Sequence, residues 1–210
     1  MLGEKAIDSG EASSRAFPGL HPDQMALLHE IKSLKKPFTV VLIGGRPFIE
    51  PTLYSSAHAI IHAWFPGSEG GEAVARLLIG LSEPMGHLPV SVPRSIGQIP
   101  LTHDKRPTGR PSLGPPEAFM SGYIDEYSTP LYAFGHGLAY TQFEYGDPII
   151  RRIGETEPQH YEVVVKIRNI GNRKGIALLQ LYTRQRVAPV SQPEKQLRGF
   201  ARLSLQSGEE

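Results

Sequence analysis

The stretch Ala63–Pro100, AWFPGSEGGEAVARLLIGLSEPMGHLPVSVPRSIGQIP, constrains the fold more than any other part of this sequence. A Pro-Gly turn at Phe65, Pro66 and Gly67 ends a strand. A helix is predicted next. Ser68 is its expected cap, Glu69 and Glu72 fall in the first turn where the helix dipole favours anions, and Gly80 stands at the far end. Ala73, Val74, Leu77, Leu78 and Leu81 recur at three- and four-residue steps, which draws one apolar stripe along a helix. Leu88 to Pro93 then reads as a short strand bounded by Pro. Such a β–turn–α–turn–β unit belongs in an α/β layer.

The segments before it fit the same grammar. Pro22 suits the first position of a helix, with Asp23 in the first turn. Met25, Leu27, Leu28, Ile31 and Leu34 form its expected apolar face, Lys35 and Lys36 lie at the negative end of the dipole, and Pro37 stops it. Phe38–Ile43 (FTVVLI) is a continuous apolar run of the kind found in strands buried on both faces of a parallel sheet. A short polar segment leads to a second strand candidate, Ala57–Trp64.

After Pro100 the texture changes twice. Residues 101–130 are rich in Pro, Gly and charge and read as a long excursion, and Pro130–Tyr145 as an aromatic, glycine-rich turn entering a strand. From Pro148 onward short strands alternate with turns: Tyr161–Arg168, Ile176–Thr183, and one or two strands in Gln196–Leu205. Fewer residues follow Pro148 than the roughly 100 of a seven-strand immunoglobulin-like sandwich. The expected fold is thus α/β: an incomplete α/β/α sandwich domain over residues 1–145, then a truncated all-β fibronectin type III/immunoglobulin-like sandwich over residues 146–210.

Composition narrows the function. With 22 basic and 21 acidic residues the net charge is +1, so there is no electrostatic footprint for nucleic acid or a membrane surface. No apolar run reaches the length of a membrane span. Cysteine is absent, which removes disulfide scaffolds and Cys-zinc sites. The first residues lack the apolar segment of a signal peptide.

Several strings together resemble glycoside hydrolase family 3, the β-glucosidase group. They are GEASSR (Gly10–Arg15), LHPDQMALL (Leu20–Leu28), AWFPGSEGGEAVARLLIG (Ala63–Gly80), GHLPVSVPRSIGQIP (Gly86–Pro100), TGRP (Thr108–Pro111), LYAFGHGLAYTQFEY (Leu131–Tyr145), and the later LLQLYTR and QLRGF. The resemblance runs in order through the chain. His136 and Ala133 depart from it, standing where family members commonly carry Tyr and Pro. It implies a parent made of a (β/α)8 barrel, an α/β sandwich domain and a fibronectin type III-like domain, of which this chain holds the later parts. Many relatives with this layout are periplasmic or secreted.

The resemblance also implies a reaction. Family members are retaining glycosidases, which need two carboxyl groups about 5–5.5 Å apart. The nucleophile is an Asp of the barrel, and Asp8, Asp23, Asp104, Asp125 and Asp147 all lie outside that motif. The acid/base is commonly a Glu in a Ser-Gly-Glu loop, which Ser9-Gly10-Glu11 matches, making Glu11 the expected catalytic residue. Glu4 is the second candidate, although Gly3-Glu4 reads as the end of a strand. The parent would hydrolyse terminal β-D-glucosyl, or β-xylosyl, residues, with no cofactor or metal implied, and the isolated chain would be inactive without the barrel. A non-catalytic carbohydrate-binding or interaction module, or an inactive truncated product, is the alternative.

Other features have plainer explanations. His58 and His62 are four apart, as helical metal ligands can be, yet no Glu follows His58 and the segment reads as a strand. Gly67, Gly70 and Gly71 match no phosphate-binding fingerprint and read as a tight turn. Arg106, Arg110 and Tyr123 are candidates for an outer sugar subsite but read first as solvated loop residues. Trp64, Tyr132, Phe134 and Tyr140 are candidates for sugar stacking but read first as core.

Overall fold

A computed structural model of the chain describes residues 1–112, 114–155 and 159–210. A parallel sheet is built from β1 (Leu2–Gly3), β2 (Thr39–Ile43) and β3 (Ala59–Trp64), in that order. Leu2 lies opposite Leu42, and Val41 opposite Ile61. Parallel neighbours need a crossover. Helix α1 (Pro22–Ser33) connects β1 to β2, and α2 (Pro51–Ser56) connects β2 to β3. The second of these falls in the segment read from sequence as a short polar connection. Its signals are Pro51 in the first turn and Leu53, which is fully buried.

The core of this region is Leu2, Leu20, Leu28, Val40, Leu42, Phe48 and Leu53. Val40, Val41 and Leu42 are all buried, as expected of a strand covered on both faces. The helices contribute less than their spacing implied. In α1 Leu28 is buried and Met25 packs on the core, whereas Leu27, and Leu34 at the helix's C-cap, are exposed. A three-stranded sheet offers one narrow contact line, which a single helical row fills.

After β3 the chain turns at Pro66-Gly67 and enters α3 (Gly70–Leu78). Ser68 does not cap it. The Gly70 amide donates to the Gly67 carbonyl (3.2 Å), which closes the turn and moves the helix start onward, leaving Glu69 as the cap residue without a side-chain bond. Glu72 is in the first turn as expected. Of the predicted stripe only Val74 is buried, while Ala73, Leu78 and Leu81 are exposed; no described element covers that face.

Leu88–Pro93 is extended but is not a strand. Leu88 exchanges hydrogen bonds with the His136 carbonyl and the Gly135 amide, and Val92 does so with Leu131 and Tyr132. Pro89 and Pro93 carry no amide hydrogen, so pairing is confined to a single bridge at Val92–Tyr132. Residues 101–112 and 114–130 form a long irregular excursion.

Six strands follow among the described residues: β4 (Phe143–Tyr145), β5 (Ile149–Ile153), β6 (His160–Val164), β7 (Ile167–Asn169), β8 (Gly175–Thr183) and β9 (Gln196–Leu205). They pair antiparallel as β4–β7, β5–β6 and β8–β9. The predicted strand Tyr161–Arg168 is therefore two, interrupted at Val165-Lys166, with its halves in different sheets. Gln196–Leu205 is one strand with an irregularity opposite Leu181/Tyr182. The small core here is Ile167, Ala177 and Leu205.

The two regions meet along a seam. Arg173, in the β7–β8 turn, donates to the Gly80 carbonyl (2.8 Å) and pairs with Glu83 (3.6 Å). Glu83 also accepts the Tyr140 amide (2.7 Å), and the Tyr140 hydroxyl donates to the Leu77 carbonyl (2.8 Å).

Candidate active site

In parallel α/β sheets, ligands are met at the carboxyl ends of the strands. At that edge lie the segment after β1 (Glu4 to Ser14), the segment after β2 (Gly44 to Arg46), and Trp64-Phe65 at the end of β3. Glu11 belongs to the first of these. It stands in a turn closed by the Ser13 amide on the Gly10 carbonyl (3.3 Å), with Gly10 at φ +109° and Ala12 at φ +61°. Gly10 is needed there because side-chain-bearing residues rarely adopt such a φ. The Glu11 side chain is exposed, and among the described residues its carboxylate has no hydrogen-bond or ion-pair partner.

Glu4 is placed differently. It directly follows β1, its amide donates to the Ile43 carbonyl (2.9 Å), and its side chain is 1% exposed. One carboxylate oxygen meets Arg46 Nε at 2.7 Å and the other accepts the Gly45 amide at 3.1 Å. Both oxygens of Glu4 are thus engaged by groups of this sheet edge. Gly3 beside it admits no side chain, since a Cβ would stand 1.8 Å from the Ile43 carbonyl oxygen.

Arg46, which sequence reasoning passed over, reaches the Glu11 loop. Its Nη2 donates to the Asp8 carbonyl (2.9 Å) and the Ser13 carbonyl (3.0 Å), on either side of Glu11. The available signal was its place straight after Gly44-Gly45 at the end of a buried strand, where the backbone turns back across the sheet edge.

The histidines do not form a metal site. His62 is in β3, between the rings of Phe48 and Trp64, and burial lowers its pKa. His58 precedes the strand and accepts the Phe38 amide (3.4 Å). Among the described residues no three His, Cys, Asp or Glu gather to hold a cation, and no helix is long and apolar enough to cross a membrane.

The remaining candidates other than Arg106 make contacts within the scaffold. The Tyr123 hydroxyl donates to the Gly97 carbonyl (2.8 Å), Arg110 reaches the Phe119 carbonyl (3.4 Å), and Arg106 is exposed. Tyr132 packs between Tyr54 and His136, Phe134 stacks on His103, and Tyr140 ties α3 to the seam. Trp64 lies against His62. His136, one of the departures from the family pattern, occupies its turn as a packed ring with its amide on the Ala133 carbonyl (3.0 Å). The Gly67–Gly71 segment is a tight turn, in which a Cβ on Gly70 would strike the Pro66 ring.

Among the described residues of this edge, the Glu11 carboxylate stands without a partner on a clamped turn. Among nearby acids, Glu4 is held by Arg46 and Asp8 accepts the Lys5 amide (3.2 Å).

Residues 1–140 match the glycosyl hydrolase family 3 C-terminal domain, and residues 177–210 a fibronectin type III-like domain. The chain is 39% identical to a periplasmic β-glucosidase of Salmonella typhimurium, over all of this chain and 28% of that protein. It is 33% identical to a β-xylosidase of Formosa agariphila, again over all of this chain and 28% of that protein. The crystal structure of a β-glucosidase from Listeria innocua in complex with glucose superposes with a TM-score of 0.91 at 37% identity, covering 99% of this chain and 29% of the other. The chain thus spans between a quarter and a third of these relatives' length. By the extent of the match and by its fold, the chain belongs to glycosyl hydrolase family 3, with that family's C-terminal α/β domain followed by a fibronectin type III-like domain.

Proposed function

We propose that the chain supplies the acid/base half of a retaining β-glucosidase, with Glu11 as the catalytic carboxyl group. In the first step Glu11 gives its proton to the leaving glycosidic oxygen while a separate nucleophile attacks the anomeric carbon. In the second, Glu11 as carboxylate takes a proton from the water that releases the sugar. The nucleophile is an Asp of a (β/α)8 barrel, which closes over the sheet edge and brings the second carboxylate near. Desolvation and that neighbouring charge are what raise a carboxyl pKa into the range of a general acid. Terminal β-D-glucosyl residues are the favoured substrate class, with β-xylosyl residues next. The α/β region is read as residues 1–145 and the fibronectin-like region as 146–210, both as parts of a longer enzyme.

The observation that carries this reading is the clamped, solvent-facing turn with an unpartnered Glu11 carboxylate at the carboxyl end of the sheet. A side chain meant only for the surface needs no such clamp. Mixing the chain with a separately made family 3 barrel, and assaying aryl β-glucosides, tests it. The chain alone is expected to give no turnover, and the mixture turnover that Glu11→Gln removes. Turnover by the chain alone, or turnover of the mixture indifferent to Glu11→Gln, contradicts it. Calorimetric binding of cello-oligosaccharides by the chain alone, unchanged in Glu11→Gln, is the result that a non-catalytic module would give.

A further inference from the structure

We propose that Arg46 is a positioning residue for the acid/base, and that Glu4 acts through it; this rests on the reading of Glu11 given above. The loop holds itself weakly. Around Glu11 its own bonds are long: Ser9 amide to Ala6 carbonyl 3.4 Å, Ser13 amide to Gly10 carbonyl 3.3 Å, and Ser13 hydroxyl to Glu11 carbonyl 3.5 Å, while the short one, Asp8 amide to Lys5 carbonyl at 2.9 Å, lies before the turn. Gly10 adopts its positive φ freely, whereas Ala12 also has a positive φ, a backbone shape that a residue with a side chain holds only when the surroundings impose it. Arg46 imposes it by donating from one nitrogen to the carbonyls of Asp8 and Ser13, which bracket the turn.

The clamp is itself anchored in the sheet. Arg46 Nε lies 2.7 Å from the enclosed carboxylate of Glu4. Glu4 is fixed at the end of β1 by the Ile43 carbonyl and the Gly45 amide. Gly3, one residue earlier, exchanges two 2.9 Å hydrogen bonds with the side-chain amide of Gln24 in α1. Position therefore passes from α1 and β2, through Glu4 and Arg46, to both flanks of Glu11. Arginine suits this task because its planar fork presents several donors in fixed directions. Lysine can keep the charge on Glu4 but cannot reproduce the fork.

A general acid must lie within hydrogen-bond reach of the oxygen it protonates, and displacement by about 1 Å can cost on the order of 100-fold. Only substrates with poor leaving groups need that proton in the first step. The test uses the chain assembled with a family 3 barrel and compares a poor alkyl with an activated aryl leaving group. For Arg46→Lys we expect kcat/KM, which reports the first step, to fall about 10- to 100-fold with the poor leaving group and far less with the activated one. With the activated one, kcat and KM should fall together as the second step slows, and the melting temperature should stay near the parent's. If Arg46→Ala does not fold, the double variant Glu4→Gln/Arg46→Met strands no buried charge and is expected to show the same leaving-group split. Equal losses with both leaving groups, or full activity of Arg46→Lys, overturn the proposal. A leaving-group split in Glu11→Gln without one in the Arg46 variants leaves Glu11 as the acid and rejects the clamp. No split in Glu11→Gln rejects both.

Discussion

Glu4 at the end of β1 and Asn169 at the end of β7 are both enclosed polar side chains, but they serve different ends. Asn169 is fully buried and spends all its bonding capacity inside the fold. Its oxygen accepts from the Thr141 hydroxyl (2.7 Å) and the Gly171 amide (3.1 Å), and its nitrogen donates to the carbonyls of Arg173 (2.8 Å) and Leu205 (3.0 Å). It joins β7, the following turn and β9 where the apolar core is only three residues deep. Glu4 stands beside a seven-residue core, and its partner Arg46 reaches outward to a loop that exposes a carboxylate. One region uses buried polarity to hold itself together; the other uses it to aim.

The sharpest way to break this contrast is to weaken each core. Leu53→Ala, at a fully buried site in α2, is expected to cost about 2–5 kcal/mol by denaturant unfolding. A loss below 1 kcal/mol would mean that the α/β region does not depend on its apolar core. Next comes Asn169→Ala, which leaves four groups without their partner; a loss of about 3 kcal/mol is expected, read in the same way. If it costs nothing, the β-region is held by something other than its buried amide.

These effects also mark what the sequence could show. The run Phe38–Ile43 announced a covered parallel strand, because only burial on both faces favours unbroken apolar residues, and Val40 to Leu42 are buried. Family wording marked Glu11. The spacing of α1 and α3 promised wider apolar faces than either buries, because periodicity states what a helix offers and not what lies opposite. Arg46 was not legible, since its role depends on carbonyls at residues 8 and 13, more than thirty positions away. The interruption of Tyr161–Arg168 was equally hidden, because both halves suit a strand and only their partners differ.

A smaller effect sharpens the comparison through pH. Burial lowers the pKa of His62, beneath the carboxyl edge of the sheet, from its ordinary 6.5. The unfolded chain then binds a proton more readily than the folded one. Stability is therefore full above about pH 6.5 and falls as pH drops below it. Denaturant midpoints measured from pH 8 to 5 should show this decline in the parent and a shallower one in His62→Gln. Parallel curves would show that the histidine titrates alike in both states. The smallest effect is expected for Ile150→Ala. Ile150 lies in the exposed β5–β6 pair, and the change should stay within about 0.5 kcal/mol. A larger loss would reveal that this ladder is covered.

The central claim, that Glu11 is the acid/base, is tested most directly by chemical rescue. In the chain assembled with a family 3 barrel, Glu11→Ala is predicted to lower kcat/KM by about 10²–10⁴-fold for glucosides with poor leaving groups. Azide, which needs no base to activate it, should restore turnover with an activated substrate and yield the β-configured glucosyl azide. Unchanged kcat/KM in Glu11→Ala, or a loss that azide does not relieve and that is equal for all leaving groups, would contradict the account.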